Sequence, residues 1–150
     1  MACGSKSRKN CYAKSCQRYY NNNAQPFAAG ETIQLQIAGA RVVDTGVSID
    51  TQPLSYTTLK TGLYHLVGDA VVNATTGGIA SLQIYMDGVP LPCTLRTATF
   101  YAGNNQVHTE TDLDLTGCCC DVEHNFTFQF ISDDAVGSVV QFCSGVLKLA

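Results

Sequence analysis

Residues 62–74, GLYHLVGDAVVNA, constrain the fold most strongly because they are apolar on both faces of the β-strand that they predict. Side chains alternate between the two faces of a strand. One face carries Tyr64, Leu66, Ala70 and Val72, and the other carries Leu63, His65, Val67, Asp69 and Val71. A strand that is apolar on both sides is typical of the interior of a sheet with a cover on each face. One cover is expected to be the second sheet of a sandwich, and the other a second copy of the chain.

The second cover predicts a homo-oligomer, since closed symmetry buries an apolar face without leaving an exposed patch. A homotrimer is expected, with the central strand near its axis. Either of two rows of this strand would lie at the interface, namely Val67 and Val71, or Leu66, Ala70 and Val72.

The remainder of the chain predicts about nine or ten short strands separated by turns rich in Gly, Pro, Asn and Asp. The sequence contains 13 Gly and no Trp, and it shows no long helical period, which indicates an all-β fold. The dipeptide Asp87-Gly88 predicts a tight hairpin turn. Phe126, Phe128 and Phe130 share one face of a strand and are expected to form an aromatic ladder in the core.

Residues 1–25 differ from the rest of the chain in charge and are predicted to be an extended attachment arm, followed by one domain over residues 26–150. Five of the nine Lys and Arg residues lie in the first 20 positions, and the first acidic residue is Glu31. The chain is therefore a basic arm on an acidic body. The residues of the arm that are expected to contact a partner are Lys6, Arg8, Lys9, Tyr12, Lys14, Arg18, Tyr19 and Tyr20.

Such an arm has too few aliphatic residues to fold alone, so it is expected to become ordered on a partner. Its tyrosines and cations could bind nucleic acid by stacking and by phosphate contacts. The acidic body would repel nucleic acid, however, and an acidic capsid or coat protein is the favoured partner.

Four stretches resemble, in order, strands of the tumour-necrosis-factor-like jelly roll, a family that includes the globular head of the first complement component. GLYHLVGDAVV resembles its Gly-x-Tyr strand, SLQIYMDGVPL its next strand and hairpin, LDLTGCCCDVEHNF its Leu-rich strand and Gly turn, and FCSGVLKL its final strand. The resemblance covers roughly residues 30–150. The Cys run departs from the family, which usually has Gly-Asp there, and the arm has no counterpart in it. It implies a ten-stranded jelly-roll sandwich that forms a compact trimer with a binding or structural role.

Signatures of catalysis are missing from the sequence. The three His residues fall in separate strands or turns, and there is no Gly-x-Ser-x-Gly elbow, His-Glu-x-x-His motif or phosphate-binding loop. We therefore expect no enzymatic activity, no catalytic residues and no cofactor.

The strongest metal candidates are the side chains of Cys118, Cys120, His124 and Cys143, together with Cys119, because zinc accepts thiolate and imidazole ligands. Adjacent strand residues point to opposite faces, and the usual ligand spacings are absent. The favoured interpretation is thus that these cysteines are small buried hydrophobic residues, ahead of a zinc site or a disulfide.

Glu110, Asp112 and Asp114 share one strand face and could bind a cation, although a solvated acidic edge is favoured.

The family that the sequence resembles includes many bacterial and phage relatives. With the tethering arm and the missing secretion signal, this predicts a non-enzymatic virion protein, a trimeric head fibre or decoration protein of a bacteriophage. It would be made in the host cytoplasm and anchored to a capsid by its arm. No signal peptide or membrane span is recognisable in the sequence, as this hypothesis requires. The alternatives are a bacterial surface or spore-coat trimer, and a lectin-like module that binds a host-surface ligand at the loop tips 75–78, 87–92 and 103–105.

Overall fold

The computed structural model describes residues 15–37, 39–44, 49–58, 61–115 and 123–149, which form thirteen strands in two antiparallel sheets. Within these ranges no helix is long and apolar enough to cross a membrane. The strands are β1 (Ser15–Asn21), β2 (Gln25–Phe27), β3 (Thr32–Gln34), β4 (Ala40–Asp44), β5 (Ile49–Gln52), β6 (Ser55–Thr58), β7 (Leu63–Thr76), β8 (Gly78–Met86), β9 (Val89–Pro90), β10 (Arg96–Phe100), β11 (Gly103–Asp114), β12 (His124–Ser132) and β13 (Val136–Lys148).

The two sheets, which we name sheet I and sheet II, each contain a path of five strands. Sheet I has the order β11-β7-β13-β1-β4, and the short strand β2 pairs with β13. Sheet II has the order β10-β8-β12-β6-β5, with β3 paired to β12 and β9 paired to β8. The two paths account for the ten strands that the resemblance implies, and the prediction of an all-β sandwich is confirmed.

The central strand of the sequence analysis is β7, which lies between β13 and the edge strand β11. Leu66, Ala70 and Val72 are at most 1% exposed and belong to the core between the sheets. Val67 and Val71 lie on the opposite face and are half-buried. Of the two rows expected at a trimer interface, the row of Leu66, Ala70 and Val72 is therefore enclosed within the single chain, and only the row of Val67 and Val71 can contact a second copy.

The aromatic ladder of β12 lies in the core as predicted, since Phe126, Phe128 and Phe130 are all 0% exposed. Phe128 packs edge-on against Phe142 of β13, with ring centroids 5.2 Å apart. Gly68 of β7 allows this packing, because a Cβ atom there would lie only 2.7 Å from the Phe128 ring. The two sheets are thus in contact through large aromatic side chains, and the Phe128 ring packs against the backbone of Gly68.

The arm boundary expected at residue 25 is corrected by β1, which is an integral strand of sheet I. Its residues pair with β13 from Ser15 opposite Lys148 to Asn21 opposite Phe142. Its other side pairs with β4. The short strand β2 also pairs with β13. Any arm is therefore confined to residues before 15, which lie outside the described residues.

The side chains of β1 explain why the sequence alone does not reveal a strand there. Its inward-facing row is polar and aromatic, consisting of Gln17, Tyr19 and Asn21. Asn21 is 3% exposed, and its Nδ2 donates to the Gln36 backbone carbonyl over 3.2 Å. Buried polar groups are tolerated when they are hydrogen-bonded, so this strand lacks the apolar alternation that marks the others.

The hairpin between β8 and β9 is confirmed. Asp87 and Gly88 both have positive φ angles, 52° and 79°, as a tight two-residue hairpin turn requires. Met86 and Val89 are paired on either side of them. Gly adopts this conformation without strain.

Candidate functional site

The face of sheet I that points away from sheet II, here called the outer face, contains the candidate site. Side chains alternate along each strand, so the outer face is made of every second residue of four neighbouring strands. These residues are Cys16, Arg18 and Tyr20 of β1, Gln141, Cys143, Gly145 and Leu147 of β13, His65, Val67, Asp69 and Val71 of β7, and Gln106, His108, Glu110 and Asp112 of β11. Three hollows of about 290, 560 and 410 Å³ lie on this face, and Arg18 lines all of them.

Gly145 forms the floor at the middle of the outer face, between Arg18 on β1 and Val67 on β7. A Cβ atom at Gly145 would lie 3.2 Å from Val67 Cγ1 and 3.3 Å from Arg18 Cγ. The aliphatic stem of Arg18 therefore lies across the glycine. The smallest of the three hollows is mostly apolar, with Arg18 and His65 as polar side chains in its wall, and we call it the Arg18 hollow.

Two histidines and three carboxylates form a cluster along β7 and β11, which we call the acidic edge. His65 Nδ1 lies 2.6 Å from Asp112 Oδ1, and His108 Nδ1 lies 2.5 Å from Asp69 Oδ1. Glu110 Oε2 lies between the rings, 3.5 Å from His65 Nε2 and 3.3 Å from His108 Nε2. Carboxylates are ionised at neutral pH. Because they outnumber the histidines, the acidic edge stays net negative even when both rings are protonated.

The pKa of His108 provides a test of this geometry. The hydrogen bond that the His108 ring donates to the Asp69 carboxylate raises the pKa of His108, partial burial opposes this increase, and Glu110 adds to it. We expect an NMR titration of the His108 ring to give a pKa above the ordinary histidine value, and Asp69→Asn to lower it. Since the pKa is raised in the folded state, the protonated ring stabilises the fold below the ordinary pKa, and this contribution disappears as the pH rises through the raised value.

Asp133→Asn is the control for that titration, because Asp133 is exposed in the turn between β12 and β13. This substitution should leave the His108 titration unchanged. A His108 pKa that does not respond to Asp69→Asn would contradict the pairing.

The candidate metal ligands are not brought together where the structure describes them. His124 lies in sheet II with Nδ1 2.8 Å from Asp87 Oδ2, whereas Cys143 lies on the outer face of sheet I. Burial raises the pKa of the Cys143 thiol, with a further increase from Asp69. Cys118 and Cys120 lie outside the described residues. Among the described residues, no three His, Cys, Asp or Glu side chains are placed to hold a metal ion.

The expected arm residues divide into three groups. Lys6, Arg8, Lys9, Tyr12 and Lys14 lie outside the described residues. Arg18 and Tyr20 lie on the outer face, where a partner can reach them. Tyr19 faces inward instead, with its ring centroid 6.0 Å from that of the buried Tyr56, so its predicted role in partner contact is corrected to a role in packing.

The predicted acidic strand face is exposed at Glu110 and Asp112, as a solvated edge requires. What sequence reasoning missed is the contribution of His65 and His108, which β7 and β11 place beside these carboxylates. Their pairing depends on the register of two strands joined by a long connection, and His65 and Asp112 are 47 residues apart. The only available signal was that all of them fall on alternate positions of two predicted strands.

Comparisons with known proteins add information about the fold. No protein-family model and no curated protein matches the sequence. Murine APRIL at pH 8.0 is 15% identical, with a TM-score of 0.61 over 91% of this chain and 100% of that chain. The PRD1 vertex protein P5 is 17% identical, with a TM-score of 0.58 over 91% and 97%. The globular domain of zebrafish complement 1qA protein is 10% identical, with a TM-score of 0.56 over 92% and 98%. The chain therefore has the tumour-necrosis-factor-like jelly-roll fold.

Proposed function

We propose that this protein is a non-enzymatic structural protein that assembles as a homotrimer on a virion, as a head fibre or decoration protein. The observation that carries the proposal is the outer face of sheet I. Val67 and Leu147 are half-buried there beside the floor at Gly145, and Val71 is half-buried further along β7, in a surface with several hollows. Such a surface suits a partner of complementary shape, and closed symmetry supplies one from the same chain.

Two further observations support a structural role. The resemblance to the tumour-necrosis-factor-like family implies a compact trimer. One protein with the same fold is a vertex protein, that of PRD1, and the likeness extends over 91% of the present chain. A vertex protein belongs to an assembled particle. The trimer proposed here would likewise be displayed on a particle.

Attachment is assigned to residues 1–14, the part of the expected arm that precedes β1. This segment contains Lys6, Arg8, Lys9 and Lys14 and no acidic residue. It leads into Ser15, which pairs with Lys148 at one end of sheet I. Three-fold symmetry would place three such segments at the same end of the trimer, and simultaneous binding of all three would add avidity.

Reversing the charge of the arm is expected to abolish attachment. The variant carries Lys6→Glu, Arg8→Glu and Lys9→Glu, and its trimer should remain folded because the three substitutions lie outside the described strands. Occupancy on purified particles is measured by quantitative mass spectrometry at several salt concentrations. Wild-type occupancy should fall as salt screens the attraction, and that of the variant should be near zero.

Arg96→Glu is the control, because Arg96 is an exposed cation on β10 of sheet II. It should decorate particles normally. Normal occupancy by a chain that lacks residues 1–14 would show that the arm is not the anchor. Label on the surface of bacterial cells or spores, with none on virions, would contradict the virion assignment and favour the alternative of a bacterial surface trimer.

A further inference from the structure

We propose that the acidic edge of one copy docks into the Arg18 hollow of the next copy, so that Glu110 and Asp112 face the Arg18 guanidinium across each interface. The proposal rests on the homotrimer proposed above and specifies which surfaces of the chain meet in it. The partner is a second copy of this chain, and the argument depends on the placement of charge over the outer face.

A closed ring of three copies needs two different patches on each chain. A two-fold interface pairs a patch with itself, whereas a three-fold ring pairs one patch with another patch on the neighbour. The outer face contains two such patches of opposite character. Arg18 lies on β1, and the carboxylates of Asp69, Glu110 and Asp112 lie on β7 and the adjacent β11.

Within one chain Arg18 is separated from Glu110 and Asp112, although it lines one hollow together with Asp69. Arg18 and Glu110 occupy the same row across the sheet, with Gly145 and Val67 between them. Three strand spacings separate their backbones by about 14 Å. Among the described carboxylates, none forms an ion pair with Arg18, and Asp69, Glu110 and Asp112 each contact a histidine. The cation of one copy is thus available to the acids of another.

Both patches are also accessible to a neighbouring copy. Among the described strands β11 lies at the edge of sheet I, so none of them blocks the approach of a neighbour to its side chains. The side chains of Glu110 and Asp112 are 53% and 79% exposed. The Arg18 hollow has a volume of about 290 Å³, and Gly145 and Val67 line it. Docking would also cover the twelve-residue edge strand β11, which could otherwise pair with strands of other chains and aggregate.

Arg is suited to such a contact, because its planar guanidinium binds carboxylates through two parallel hydrogen bonds. The stem of Arg18 already lies flat against Gly145, which reduces the side-chain freedom that docking would remove. The apolar floor excludes water and strengthens the attraction. A purely solubilising role for the acidic edge is the competing explanation, and it predicts that Arg18 has no effect on assembly.

A charge-swap experiment on the full chain separates these explanations. Arg18→Glu, Glu110→Arg and the double variant are compared with wild type, and the trimer dissociation constant is measured by sedimentation equilibrium. Each single variant should weaken assembly by about tenfold or more, as expected for reversal of a desolvated charge contact. The double variant restores an opposite-charge pair in all three interfaces and should recover most of the loss. Arg96→Glu is the control and should assemble as wild type does.

The outcomes are distinct for the two proposals. A wild-type trimer that is unaffected by Arg18→Glu overturns the docking arrangement and leaves the homotrimer standing. A wild-type monomer overturns the homotrimer itself. If a charge reversal prevents folding, as judged by circular dichroism, Arg18→Gln and Glu110→Gln replace the reversals. Their combined effect should then be smaller than the sum of the single effects, and strict additivity would contradict the pairing.

Discussion

Replacing Phe128 with alanine is expected to lower the free energy of unfolding by about 3–5 kcal/mol. Phe128 is 0% exposed and packs against Phe142 in the opposite sheet. The backbone of Gly68 lies directly against its ring. Two hydrogen-bonded sheets cannot collapse easily into the space that the ring leaves, so the cost includes a cavity as well as lost burial. Denaturant unfolding measures the change.

All variants must be compared at one protein concentration, because assembly contributes to the apparent stability. Tyr101→Ala is the matched control, since Tyr101 is an aromatic residue that is 72% exposed. Its effect should stay within about 0.5 kcal/mol, as is usual for surface positions. A loss below about 1 kcal/mol for Phe128→Ala would contradict its place in the core.

Replacing Val67 with aspartate is expected to convert the trimer to folded monomers at micromolar concentrations. Val67 is half-buried in the middle of the outer face, and it is paired in register with Glu110. The new carboxylate would be buried in the interface next to an existing one. Burying a charge beside Glu110 costs several kcal/mol, and the new acid would compete for Arg18 with the acids of the neighbouring copy. The trimer contains three copies of this change. Light scattering gives the mass, and circular dichroism confirms that the chain remains folded.

Val89→Asp makes the same substitution at a distant site. Val89 is 65% exposed in the hairpin of sheet II and does not belong to the outer face of sheet I. This control should remain trimeric. A trimer that persists with Val67→Asp would show that the outer face is not the interface.

The parts of the fold that the sequence predicts are those in which burial is apolar and local. The alternation in β7 and the Phe ladder of β12 identify two core strands without any knowledge of their partners. β1 could not be found this way. Its buried Asn21 depends on a hydrogen bond to Gln36, fifteen residues away, and its Tyr19 packs on Tyr56 in the other sheet. Such partners exist only once the sheets have formed.

The candidate site was predictable only in part for the same reason. Glu110 and Asp112 were expected on an exposed face from alternation alone. Their contacts with His65, and the position of Arg18 beside Gly145, follow from strand register and strand order. Neither can be read from spacing in the sequence, because a shift of one residue would move each side chain to the opposite face.

Sedimentation equilibrium of the full chain tests the central claim most directly. We expect one species at micromolar concentration, with a mass three times the 16.0 kDa of the chain. It should be insensitive to Val89→Asp and should dissociate with Val67→Asp. A soluble species of 16.0 kDa that persists as the protein concentration is raised would contradict the claim that the outer face of sheet I is an interface between copies of this chain.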